Sequence, residues 1–390
     1  MRRLPLILFI QLITFQIIGQ SNISFHPPVK IPMYLSGNFG EIRSDHFHSG
    51  IDIKTRGTTG HHVFSIESGY VSRIKVQANG YGKSIYISHP NGYTSVYGHL
   101  DRYRDDISEY VKQKQYKRRS HMVDLYMKPD QFKLNKGEFI GYSGNSGSSS
   151  GPHLHFEVRT SSNQHPTNVL KYGFDIKDGQ APRFFNLVVY PTDEDGTVNG
   201  SHEKFVSKLV PDQGVYTIPY GTKLSAFGRL GFAVEVFDYL DGASNRCGVY
   251  TLQMFVDDEL KYSHVMDEFS FSETRYVNAH IDYGERMLNG TKAHRLHRLP
   301  NDRMRIYEQM AQDGTVNIRE KKSYKIRIIA TDVAGNRSES EFLVTGDPDT
   351  RLLDRPAADG SAHMKYQVPN RFEQGNVMLE IPANALYQDL

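Results

Sequence analysis

The chain has 390 residues, of which 38% are hydrophobic and 23% charged, with a formal net charge of +2 and one cysteine, Cys247. A near-neutral balance gives no argument for a nucleic-acid partner, and a single thiol rules out an internal disulfide and a four-cysteine zinc site. The length implies two or three domains, and 24 Tyr with 21 Phe favour strands.

Arg2 and Arg3 precede an apolar run, Leu4–Gly19. The run falls short of the roughly 20 residues of a membrane span and has a small residue near its end, so residues 1–20 read as a cleaved secretory signal peptide, with an uncleaved anchor as the other reading. No cysteine follows to carry a lipid, and no other stretch is apolar enough to span a bilayer. The mature protein is expected to be periplasmic, or secreted to the cell surface, with no membrane span after signal removal.

Residues 21–36 form a Pro-containing lead-in. Over 37–173, short runs such as GYVSRIKVQ, SIYISH, YTSVYGHL, EFIGYSG and HLHFEVR alternate with Gly-rich turns, a pattern of antiparallel strands and hairpins. Residues 101–136 interrupt it, with ten Lys/Arg against six Asp/Glu. This segment reads as a solvated insertion or a lid beside a cleft, and ISEYVKQKQYKRR within it as a short helix. A polar Gly/Pro-bearing stretch near 175–184 marks a boundary. Beyond it FFNLVVYP, GFAVEVFD, YTLQMFV, YKIRIIATD and EFLVTG are spaced as in a β-sandwich, and YKIRIIATDVAGNRSE resembles the closing strands of bacterial immunoglobulin-like modules. The expected architecture is all-β: an antiparallel β-sheet domain over 37–173, then an immunoglobulin-like β-sandwich over 184–347, a possible surface for a protein partner. The strand-like runs of 348–390 either complete the sandwich or belong to an incomplete third module.

Five residues in three segments carry the chemistry: His48 and Asp52 in FHSGID, His99 in YGHL, and His153 and His155 in GPHLHFEV. Together they offer two imidazoles and a carboxylate for one zinc ion, with two imidazoles left for proton transfer. A catalytic zinc takes three such ligands and keeps one position open for water. His-x-x-x-Asp alone is weak. In an extended strand positions i and i+4 lie about 13 Å apart, so a bend at Gly50 or a helical turn must bring His48 and Asp52 together. HLHFEVR is stronger: in a strand His153, His155 and Glu157 share one face and Leu154, Phe156 and Val158 the other. Glu157 then either fixes an imidazole tautomer or forms a surface salt bridge. His99 suits a general base or a donor to a developing oxyanion. His46 is a candidate spare ligand, His61 and His62 read as solvated, and His294 and His297 as surface or core residues without a ligand partner in sequence.

The order HxGxD, then GYxxxYxHL, then a Gly/Ser loop entering GPHLHFEV resembles the lysostaphin/LytM-type zinc endopeptidases of bacterial cell-wall peptidoglycan, over roughly residues 37–160. The resemblance implies a zinc metalloendopeptidase acting on peptidoglycan, with His48, Asp52 and His155 as zinc ligands and His99 and His153 flanking the catalytic water as base and transition-state stabiliser. The 101–136 insertion exceeds the family's usual short connection. Some family members have lost ligands and activate other wall hydrolases, so a non-catalytic wall-binding activator is the alternative. All five positions are present here.

Overall fold

The computed structural model describes residues 24–352 and 364–389; the signal-peptide expectation for 1–20 lies outside them. Among the described residues no helix is long and apolar enough to cross a membrane. The chain is all-β, as its alternating runs predict. In order, the first strands are β1 (Leu35–Gly37), β2 (Ile51–Lys54), β3 (His62–Phe64), β4 (Gly69–Val76), β5 (Lys83–Ser88), β6 (Tyr93–Gly98) and β7 (Arg102–Tyr103). After helix α1 (Asp105–Arg118) come β8 (Val123–Tyr126), β9 (Lys133–Leu134), β10 (Phe139–Tyr142), β11 (His153–Thr160) and β12 (Pro166–Thr167). The main sheet runs β1-β2-β11-β6-β5-β4-β8, with β12 on β11 and β9 on β4, and β3-β10-β7 form a smaller sheet.

The alternation in HLHFEVR does what period two requires. Leu154, Phe156 and Val158 are fully buried in the first core with Ile51, Ile53 and Tyr97, each apolar side chain contributing about 1.5–3 kcal/mol. The histidine face turns the other way. Segment 101–136 is only partly a solvated excursion. Its predicted helix forms, anchored by buried Ile107 and Val111, but β8 and β9 pair with β4 and extend the sheet.

Strands from Arg183–Pro191 to Arg337–Gly346 build a thirteen-stranded system, its longest member Ser225–Phe237. A core from Phe184 to Val344 lies within it. The final strands, Asn370–Gln374 and Val377–Ile381, make a separate hairpin. A third cluster joins the two halves: Phe39, Ile42 and Phe47 pack with Met266, Phe269, Val277, Ile281, Met304 and Ile306. Asn38 reinforces this junction, its side-chain amide donating to the Gly248 carbonyl at 2.7 Å and its oxygen accepting from the Gly248 N–H at 2.7 Å. The loop that carries His48 is therefore seated in the C-terminal half.

Candidate metal centre and catalytic cleft

Strand register brings the ligand candidates together. On β11, His155 lies opposite Asp52 of β2 and opposite Gly98 of β6, and directly opposed side chains sit about 4.5–5.5 Å apart at Cβ. His48 reaches the same point because the chain bends at Gly50. A Cβ there would lie 2.2 Å from the Phe156 carbonyl oxygen, so only glycine permits this approach. His99 follows Gly98 at φ 58°, a left-handed conformation uncommon outside glycine that turns its ring back over the sheet.

His48 Nε2, Asp52 Oδ1 and His155 Nδ1 form a triangle with sides of 3.1, 2.9 and 3.1 Å. Four nitrogens bonded to carbonyl or carboxylate oxygens fix the tautomers, because such oxygens only accept. His48 Nδ1 donates to the Asn38 carbonyl at 2.8 Å and His155 Nε2 to Glu157 Oε1 at 2.8 Å. His48 Nε2 and His155 Nδ1 thus both face Asp52 Oδ1, an arrangement that a cation bound between them would satisfy. The sides compare with roughly 3.3 Å between ligands of a tetrahedral ion with bonds of 2.0–2.1 Å. Two imidazoles and a carboxylate are a zinc donor set, so these residues fit zinc. His99 Nδ1 donates to the Ser146 carbonyl and His153 Nδ1 to the Gly151 carbonyl, both at 2.8 Å. Their rings lie 4.7 Å apart, and His153 Nε2 is 3.5 Å from Asp52 Oδ1.

The electrostatics follow from burial and charge. Burial lowers the His99 imidazole to about 4, helped by the neighbouring His155 and His153, and burial also lowers His48. Burial opposes ionisation of Asp52, but His48, His153 and His155 overcome it and hold the carboxyl well below its ordinary range. His155 is raised to about 9, since its bonds to Asp52 and Glu157 outweigh burial.

Arg43 and Tyr81 carry no sequence signal, whereas Glu157 takes the first of its two sequence readings, as acceptor to an imidazole. Arg43 clamps Asp52 Oδ2 at 2.8 Å, leaving Oδ1 for the triangle. Glu157 is fully buried rather than a surface residue. Its Oε1 accepts from Ser49 Oγ at 2.7 Å, Tyr81 Oη at 2.5 Å and His155, and Arg159 Nε donates to Oε2 at 2.5 Å. Tyr81 also stacks on His155 with ring centroids 4.8 Å apart; in sequence it reads only as part of the turn ANGYG. His46 lines the cleft, but its Nδ1 bonds to Asp45. The cleft has a volume of about 850 Å³, and its walls include the Ser148–Pro152 loop and, from the C-terminal half, Asn245, Phe271 and Thr274. No residue of 101–136 lines it. His294 and His297 are buried, the former in a short strand, Ala293–Arg295.

The model of Peptidase family M23 matches residues 46–117 and 116–169. An uncharacterized metalloprotease of Haemophilus influenzae is 32% identical over 119 residues, covering 30% of this chain and 19% of that protein. A DD-carboxypeptidase/endopeptidase Mpg of Neisseria meningitidis is 30% identical over 122 residues, covering 31% of this chain and 21% of that protein. Among solved structures, the catalytic domain of the prophage-encoded M23 protein EnpA from Enterococcus faecalis is 25% identical, covers 36% of this chain and 92% of that chain, and gives a TM-score of 0.27. The match thus spans about a fifth of the length of the curated relatives. Residues 46–169, about a third of this chain, are therefore similar to Peptidase family M23.

Proposed function

We propose that the protein is a zinc-dependent endopeptidase that hydrolyses peptide bonds in bacterial cell-wall peptidoglycan, working in the periplasm or at the cell surface. The observation that carries this reading is the triangle of His48 Nε2, Asp52 Oδ1 and His155 Nδ1, with lone pairs turned inward by Asn38 and Glu157. These three would hold zinc, which when bound supplies Lewis-acid polarisation of the scissile carbonyl and acidifies a water. Two neutral imidazoles and one carboxylate leave such a site net positive, which favours a developing oxyanion.

The remaining steps belong to the chain. Arg43 orients the Asp52 carboxylate through its bond to Oδ2. His99 and His153 each commit Nδ1 to a backbone carbonyl and so present Nε2 to the cleft. His99 accepts the proton of the attacking water. His153, its Nε2 facing the Asp52 carboxylate, carries a proton toward the oxyanion. The open cleft between Ser148–Pro152 and Phe271 admits an extended peptide. We assign the domain to 37–173, treat 184–347 as an immunoglobulin-like unit that supplies one cleft wall, and leave the strands Asn370–Gln374 and Val377–Ile381 as an appended hairpin.

The sharpest test is digestion of purified sacculi by chelator-stripped and zinc-refilled protein, with mass analysis of the released muropeptides. Release by the zinc form alone, abolished in His155→Ala, is expected. Full release by His155→Ala would overturn the assignment. If the protein released nothing itself but accelerated a separate wall hydrolase, the activator reading would replace it.

A further inference from the structure

The geometry points to a second metal site, structural rather than catalytic, in which His264, His280 and His294 take a divalent first-row ion such as zinc. The three come from separate elements: the strand Glu259–Val265, the short helix Val277–His280 and the strand Ala293–Arg295. One ring nitrogen from each lies within 4.8 Å of the others. Their ring centroids are 5.1, 5.9 and 5.1 Å apart, close to the 5.0 Å between His48 and His155 in the first site.

Hydrogen bonds around the cluster leave inward-facing ring nitrogens that no outer partner satisfies. Tyr307 Oη donates to Asp302 Oδ2 at 2.6 Å, so its oxygen accepts from His280 Nδ1 at 3.3 Å and His280 Nε2 is left bare. That bare nitrogen sits 2.9 Å from His294 Nδ1. His264 Nδ1 is engaged with Tyr262 Oη at 2.9 Å. Its Nε2 is buried and has no hydrogen-bond partner among the described residues. Buried side-chain nitrogens are almost always satisfied, and an orphan aimed at two further imidazoles is what an absent ligand would leave. Outer hydroxyls and a carboxylate that fix ring orientation are the usual surroundings of metal-bound histidines.

The chemistry selects the ligand. An all-imidazole donor set suits zinc, copper or nickel, whereas calcium and magnesium require oxygens. Burial holds all three rings below their usual range, His294 at about 4. The rings are almost wholly inaccessible, at 0%, 0% and 3% exposure, which excludes a substrate. The edge of His280 meets the Phe47 ring at 5.7 Å, next to His48, so an ion here would brace the loop that carries a catalytic ligand.

Zinc counting on the full chain tests this. The protein is stripped with chelator, refilled with zinc, dialysed and analysed as wild type, His155→Ala and His264→Phe. Two equivalents in the wild type and one in each variant are expected. One equivalent lost in His264→Phe but kept in His155→Ala would support the second site even if the first failed. One equivalent in the wild type and none in His155→Ala, or two retained in His264→Phe, would overturn it and leave a hydrogen-bonded polar core. Should His264→Phe not fold, the melting temperature of His155→Ala with and without zinc reads the same site intact: a zinc-dependent rise supports the proposal and its absence refutes it.

Discussion

Replacing Glu157 with Gln separates an ordinary hydrogen bond from a buried charge that organises the centre. Glu157 is fully buried and accepts from Ser49, Tyr81 and His155 on one oxygen and from Arg159 on the other. Gln can keep the three bonds at Oε1. Its amide then meets Arg159 Nε donor against donor, and the guanidinium, with a side chain only 8% exposed, loses its counter-charge. A single lost hydrogen bond would cost about 1 kcal/mol; stranding one partner of a buried ion pair costs about 3–5 kcal/mol. Neutralising the acceptor of His155 Nε2–H also makes Nδ1 a poorer donor, so zinc affinity should fall about 10–100-fold, or about 1.4–2.8 kcal/mol. Urea denaturation measures the first quantity and competition against a chromophoric chelator the second. Adding Arg159→Met to Glu157→Gln should restore much of the stability but none of the zinc affinity. A stability loss below about 1 kcal/mol with unchanged zinc affinity would refute the reasoning.

Phe47→Ala should destabilise the protein by about 3–5 kcal/mol, because Phe47 is fully buried in the cluster joining the two halves and the vacated volume cannot collapse. Its zinc affinity should weaken too, and calorimetry showing stability loss alone would uncouple that cluster from His48. His99→Ala should lower kcat by about 10²–10⁴-fold with zinc content unchanged; loss of zinc, or an unaltered kcat, would contradict its role as base. Burial, with nearby Asp178 and Asp332, pushes Asp238 up to about 8, against about 3.9 for an unperturbed Asp. The folded chain therefore holds a proton that the unfolded chain has released, so this contribution is fully present below about pH 4 and lost as pH rises through about 8. Asp238→Asn should flatten the decline in unfolding free energy between pH 5 and 9, and parallel curves would show that Asp238 does not titrate this way.

The sequence made the inner centre readable because strand periodicity and a glycine bend are local. HLHFEVR placed His153, His155 and Glu157 on one face, and His48 needed only the bend at Gly50 to meet Asp52. The surroundings depend on contacts that no spacing reveals. Arg43 reaches Asp52 across a loop, Tyr81 reaches Glu157 from a hairpin turn, and Phe271 and Thr274 enter the cleft wall from more than a hundred residues beyond β11. His294 read as lacking companions because its partners are not in line: His280 lies 14 residues away and His264 on another strand. The 101–136 segment showed its helix through composition, but β8 and β9 are too short for alternation to register, and their pairing with β4 is a tertiary choice.

The most direct measurement is an anomalous difference map collected at the zinc absorption edge from a crystal of zinc-loaded protein. The account predicts a peak bounded by His48 Nε2, Asp52 Oδ1 and His155 Nδ1. Density in which these three atoms bond only to one another, with no anomalous scatterer between them, would contradict it.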